Sequence, residues 1–172
     1  FLILKHKPKN AIKFLKNKFK KLNYNKLNKL NLHTIEISRH SAVIAKIYEI
    51  RQILKNFQTK FAKKNKNCCI EGRDISTKIL PGSDVKFFFK CNLDIAAFRR
   101  YNELKKNNFK MKIKDVKKAL RIRNNHDIKR KSSPLLKHRD AIEIDTGKLN
   151  KKAMLKKMSK NVDRMIKLKY GN

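Results

Sequence analysis

Positive charge dominates this chain: 47 Lys and Arg stand against 13 Asp and Glu, leaving +34 over 172 residues. Charge of that size repels itself and opposes compaction unless a polyanion neutralises it. Against it stands a hydrophobic content of 40%. That is enough for a packed core, and it excludes a fully disordered polybasic chain. The length suits one domain, or one domain with tails. No apolar run approaches the roughly 20 residues of a membrane-spanning helix, so no membrane partner is expected. A partner rich in phosphate is expected instead.

The charge is unevenly spread. The first 30 residues hold ten lysines and no acid, and the first carboxylate is Glu36. Ile12, Phe14, Leu15, Phe19 and Leu22 recur at near-helical spacing, which predicts a basic amphipathic helix. Tyr24 to Leu32 reads as a low-complexity linker or a frayed helix, and residues 1–34 together as a basic extension. A domain is expected over 35–172. In it, Val43, Ile44, Ile47, Ile50, Leu54, Phe57 and Phe61 share one face of a single helix of about six turns. Cys68-Cys69-Ile70 reads as a buried strand feeding the loop Glu71–Asp74. Val85 to Phe89 is a second strand, and Asn92 caps the helix that follows. Ile113, Val116 and Leu120 mark another helix, running into a basic stretch over 121–139. Ala141 to Asp145 is a third strand. Met154, Leu155, Met158, Val162, Met165 and Ile166 face one side of a C-terminal helix. Strands separated by helices imply a parallel sheet in an α/β layer fold.

Metal and thiol chemistry find little support. The cysteines, Cys68, Cys69 and Cys91, are odd in number and lack C-x-x-C spacing. They are expected to be buried free thiols in a reducing compartment. His6, His33, His40, His126 and His138 share no ligand spacing, so no metal is expected. No Ser/His/Asp or Cys/His set is legible. The abundance of Lys, Asn, Ile and Phe resembles an A/T-biased coding sequence, as in organellar genomes.

An ordered set of motifs resembles the bacterial-type cytidylate kinase family. Gly72-Arg73-Asp74-Ile75-Ser76-Thr77 is similar to its G-R-D-I-G-T segment. Ile37-Ser38 through Phe61, with Arg51, Gln58 and Phe61 in register, is similar to the helix that precedes that segment. Pro81, the Val85–Phe89 run and Arg99-Arg100-Tyr101 follow the family's next stretches. Arg123 through Pro134-Leu135 matches its lid motif R-D-x-x-D-x-x-R-x-x-x-P-L, and Ile144-Asp145-Thr146 its L-D-T/S strand end. The resemblance covers about residues 35 to 168. It implies a partial P-loop-kinase-like sheet flanked by helices, with basic helical N- and C-terminal extensions. It further implies that Arg51, Arg73, Asp74, Arg123, Asp127 and Arg130 form a nucleoside-monophosphate pocket, intact or vestigial. Guanidinium forks would take phosphate oxygens, and the carboxylates would accept from ribose hydroxyls or a base amino group.

The departures from the pattern shape the functional expectation. The family's glycine-rich loop, G-x-x-x-x-G-K-[ST], has no match, because the four glycines are Gly72, Gly82, Gly147 and Gly171. Without such a loop the backbone cannot wrap the ATP phosphates. In the lid, Asn124 replaces an aspartate, and His126 and Ile128 replace arginines. The leading expectation is therefore a catalytically inactive family member acting as a mitochondrial ribosomal protein, with rRNA and neighbouring ribosomal proteins as partners and no cofactor. Lys5, Lys7, Lys9, Lys13, Lys16, Lys20, Lys21, Lys112, Lys117, Lys118, Lys129, Lys131, Lys151, Lys152, Lys156 and Lys157 would neutralise rRNA phosphates. The alternative is a cytidylate kinase transferring phosphate from ATP to CMP or dCMP, with its N-terminal part outside this chain.

Overall fold

The computed structural model describes residues 1–21, 35–45, 47–106 and 110–171. They divide into two compact units, 1–70 and 71–172. The expected linker over Tyr24–Leu32 lies outside the described residues.

In the first unit, helices α1 (Leu2–His6), α2 (Ala11–Lys20), α3 (Ile35–Ile44) and α4 (Tyr48–Lys64) follow in order. Asn10 starts α2, its Oδ1 accepting from the Lys13 N–H at 2.9 Å, as an N-cap side chain does. The expected amphipathic face then packs on α4. Leu15 and Ile50 are buried, and the Phe19 and Phe57 rings meet edge to face with centroids 5.0 Å apart. The single helix expected over 43–61 is two helices. α3 ends at Ile44, and Ile47 is extended (φ −79°, ψ 116°) before α4 begins. β-branched Val43, Ile44 and Ile47 surround the break, and such side chains tolerate helical backbone least well among apolar residues. The strand expected over Cys68–Ile70 does not form either, and Cys68 and Cys69 are exposed rather than buried.

The second unit is α/β. A five-residue π-helical turn (Ile75–Ile79) leads to β1 (Phe87–Lys90), α5 (Leu93–Lys106), α6 (Ile113–Lys129), β2 (Ile142–Asp145) and α7 (Lys151–Tyr170). β1 and β2 pair in parallel, Phe87 opposite Ile142 and Lys90 opposite Asp145. A parallel pair needs a crossover connection, and α5 and α6 supply it. Asn92 caps α5 as expected, its Oδ1 accepting from the Asp94 N–H at 2.7 Å. Among the described residues of this unit, Ala97 and Leu104 of α5, Val116 of α6, and Ala141 and Ile144 beside or on β2 are the buried apolar ones. On α7, Met154, Met158, Val162 and Met165 are half-buried, whereas Leu155 and Ile166, expected on the same face, are each 49% exposed. This unit is a small parallel sheet flanked by helices, consistent with a P-loop-kinase-like fold. No described helix is long and apolar enough to cross a membrane.

Candidate active site

The site grows from the loop before the π-helical turn. Gly72 is required there by space: a Cβ at this position would stand 2.7 Å from Ile75 Cγ1. The chain then turns tightly around Asp74. Its carbonyl accepts from the N–H groups of Lys78 at 2.9 Å and Ile79 at 3.3 Å. With its backbone tied this way, Asp74 is only 8% exposed, an unusual position for a carboxylate unless it is paired.

Its partner comes from α6. Arg123, Asp127 and Arg130 are spaced i, i+4, i+7, which puts them on one face near the helix C-terminus. Arg130 is the first residue past the helix and is already extended (φ −65°, ψ 136°). Its Nη2 lies 3.9 Å from Asp74 Oδ1 and its Nη1 lies 3.4 Å from Asp127 Oδ1. Arg73 reaches the same carboxylate from the loop, with Nε 3.4 Å from Asp127 Oδ2. Asp127 is thus held between two guanidinium groups. Neighbours in sequence, Arg73 and Asp74 are bonded not to each other but to partners across the unit.

Electrostatics give this cluster its direction. Burial lowers the Arg73 pKa most, Asp127 opposes that shift, and the charges of Arg123 and Arg130 lower it further. Arg73 therefore feels two further guanidinium charges beside the carboxylates of Asp74 and Asp127, a field that an incoming phosphate dianion would relieve. Among the described residues no group of three or more His, Cys, Asp or Glu could hold a metal ion.

Of the six residues expected to form a pocket, Arg73, Asp74, Asp127 and Arg130 come into contact, and Arg123, exposed on α6, acts on Arg73 through its charge. Arg51 is half-buried on α4 in the other unit. Sequence reasoning missed Ser133 and Leu135. The Arg130 Nε–H donates to the Ser133 carbonyl, and the Leu135 N–H donates to the Asp127 carbonyl at 2.7 Å. Pro134, between them, was the available signal that the chain turns here.

The comparisons with known proteins bear on this geometry. A family model described as cytidylate kinase matches residues 3–164. The chain belongs to the cytidylate kinase family. It is 39% identical over 115 residues to a protein named cytidylate kinase from Alkaliphilus oremlandii, covering 67% of this chain and 52% of that one. A cytidylate kinase of Bartonella tribocorum is 34% identical over 160 residues, 93% of this chain and 73% of its own. One from Caldanaerobacter subterraneus is 38% identical over 122 residues, 71% of this chain and 54% of its own. The chain thus spans about half the length of the Alkaliphilus and Caldanaerobacter relatives.

These relatives overturn the expected rRNA-binding ribosomal role, and with it rRNA and ribosomal proteins as partners. They bear the name of a nucleotide kinase and favour the alternative expectation. The physical error is identifiable. A net charge of +34 attracts phosphate in any form and does not distinguish rRNA from a nucleotide. The lysines assigned to RNA are scattered as well. Lys5, Lys7 and Lys9 lie in or beside α1, Lys13, Lys16, Lys20 and Lys21 along α2, and Lys151, Lys152, Lys156 and Lys157 along α7. Lys112, Lys118, Lys129 and Lys131 are exposed in or beside α6. Members of the set also have partners within the protein: Lys5 stands over the Phe1 ring, Lys117 pairs with Asp94 of α5, and the Lys157 Nζ donates to the Glu143 carbonyl at 3.4 Å.

Proposed function

We propose that this chain forms the acceptor-nucleotide side of a cytidylate kinase, an enzyme that moves the γ-phosphoryl group of ATP onto CMP or dCMP. A phosphate oxygen of the acceptor attacks the γ-phosphorus, a new P–O bond forms, and the bond to the β-phosphate oxygen breaks to release ADP. The protein contributes mostly position and charge to such a step. The observation that carries the reading is the arginine excess around Asp74 and Asp127. In this reading Arg73, Arg123 and Arg130 take the acceptor phosphate, while Asp74 and Asp127 orient them and accept from sugar hydroxyls or the cytosine amino group. No G-x-x-x-x-G-K-[ST] occurs in these 172 residues, so the reading is confined to the acceptor nucleotide.

The test is calorimetric binding of CMP, dCMP and cytidine to the full protein, with ATP-dependent turnover of CMP measured alongside. CMP should bind at least about tenfold more tightly than cytidine, since charge-assisted bonds to the phosphate contribute about 1.5–3 kcal/mol each. Equal affinity for CMP and cytidine would refute the reading.

A further inference from the structure

Ser133 has a left-handed backbone, with φ at 53°. A residue with a Cβ takes this conformation at a cost, and the ring of the following Pro134 disfavours helical backbone at position 133. Such a geometry persists only where the surroundings over-determine it. Here they do so from both sides. Before it, the Arg130 Nε–H donates to the Ser133 carbonyl. After it, the Leu135 N–H closes back onto the Asp127 carbonyl at 2.7 Å. Residues 127–135 therefore form a closed loop, with the Arg130 guanidinium bound to it along one edge. The two Nη nitrogens are thereby turned toward Asp127 and Asp74, at 3.4 and 3.9 Å.

We propose that Ser133 is a positioning residue for acceptor-phosphate recognition: its left-handed backbone holds the carbonyl that aims Arg130. This rests on the acceptor-nucleotide reading above. The side chain at position 133 matters through the backbone angle it permits, so tolerance should follow left-handed propensity. Glycine and asparagine adopt that region readily, and a β-branched residue does not. Valine would swing the carbonyl away and release the Nε edge, letting the guanidinium sample orientations in which it no longer faces the phosphate.

The experiment measures CMP and cytidine affinity by calorimetry in the full protein and its Ser133→Gly, Ser133→Asn, Ser133→Ala and Ser133→Val variants. Ser133→Val is repeated in an Arg130→Ala background. Glycine and asparagine should keep CMP affinity within about twofold. Valine should weaken CMP about tenfold and leave cytidine unchanged, with alanine between. In the Arg130→Ala background valine should have no further effect, because the group it acts through is gone. NMR exchange of the Arg130 Nε–H should show protection in wild type and the glycine variant and its loss with valine. Should valine fail to fold, the alanine variant carries the same comparison. The inference is overturned if the variants leave the CMP-to-cytidine ratio of wild type intact, if cytidine suffers equally, or if valine acts as strongly without Arg130. A wild type that binds CMP no more tightly than cytidine would overturn the nucleotide reading and this inference together. The variant arms can fail while that wild-type arm succeeds.

Discussion

Arg73 Nε stands 3.4 Å from Asp127 Oδ2, joining the loop before the π-helical turn to the C-terminal end of α6. The same carboxylate faces Arg130 through its other oxygen, at 3.4 Å. Asp127 is thus the group that keeps two mutually repelling guanidinium groups on one side of the unit. Its side chain is 16% exposed, against 37% for Arg73. Replacing it with asparagine leaves the shape and removes the charge. We expect Asp127→Asn to lower stability by about 1–2 kcal/mol in urea titrations, between the values for exposed and buried pairs. An unchanged midpoint would mean that Asp127 does not hold the cluster together.

Arg73→Lys tests the chemistry rather than the fold. A lysine keeps the charge and loses the planar fork that can take two phosphate oxygens at once. CMP affinity should fall about tenfold or more while the thermal midpoint moves little, since Arg73 is more than one-third exposed. Calorimetry and a melting curve on the same sample separate the two effects.

At Gly72 the requirement is steric. The missing Cβ would stand 2.7 Å from Ile75 Cγ1 and 3.1 Å from Ile75 Cδ1, so the isoleucine must leave its place in Gly72→Ala. A cost of about 1–3 kcal/mol is expected, as for overpacked sites. Shortening the obstacle should return part of it, so Gly72→Ala with Ile75→Val should be more stable than Gly72→Ala alone. If the second substitution adds its own loss instead, the collision is not the cause.

Much of this architecture could be read from the residues. The run through Phe87–Phe89 and the run Ala141–Asp145 are short, apolar and bounded by turn residues, so both strands were visible. Asn92 and the i, i+4, i+7 placement of Arg123, Asp127 and Arg130 follow from local rules of capping and helical period. What failed depended on tertiary context. The break between Ile44 and Tyr48 has no glycine or proline to announce it. Cys68 and Cys69 looked buried by residue type, yet short apolar runs do not report which side of them will be covered. The partner exchange of Arg73 and Asp74 cannot be seen in sequence, because each bonds across about 55 residues, and residue type does not disclose the left-handed backbone at Ser133. The functional error came from treating charge as an address, when charge specifies only attraction.

The core can be checked independently of the site. Ile144 is 0% exposed, at the centre of the second unit, whereas Leu168 near the end of α7 is 71% exposed. Ile144→Ala should cost about 2–5 kcal/mol, a removed side chain plus the cavity it leaves. Leu168→Ala should stay within about 0.5 kcal/mol, as exposed positions do. Similar losses at the two sites would contradict the packing.

Acid and base should each weaken the cross-strand pair Lys90–Glu143, whose charged atoms are 2.5 Å apart. The hydrogen bond from Lys90 holds the Glu143 carboxyl below the ordinary range, and Lys137 at 3.6 Å adds to that. The same bond raises Lys90. A depressed carboxylate contributes stability above its unfolded pKa and loses it as pH falls through the folded value. A raised amine contributes below its unfolded pKa and loses it as pH rises through the folded value. The pair therefore acts in the window between the two, which includes neutral pH. Wild type should melt above Glu143→Gln at pH 7, and the two curves should converge below the ordinary carboxylate range and again in strong base. Both side chains are well exposed, so the gap should be small and should shrink in 1 M salt, where screening reaches within about 3 Å. A gap that persists in acid, where Glu143 is neutral in both proteins, would assign the effect to packing rather than to charge.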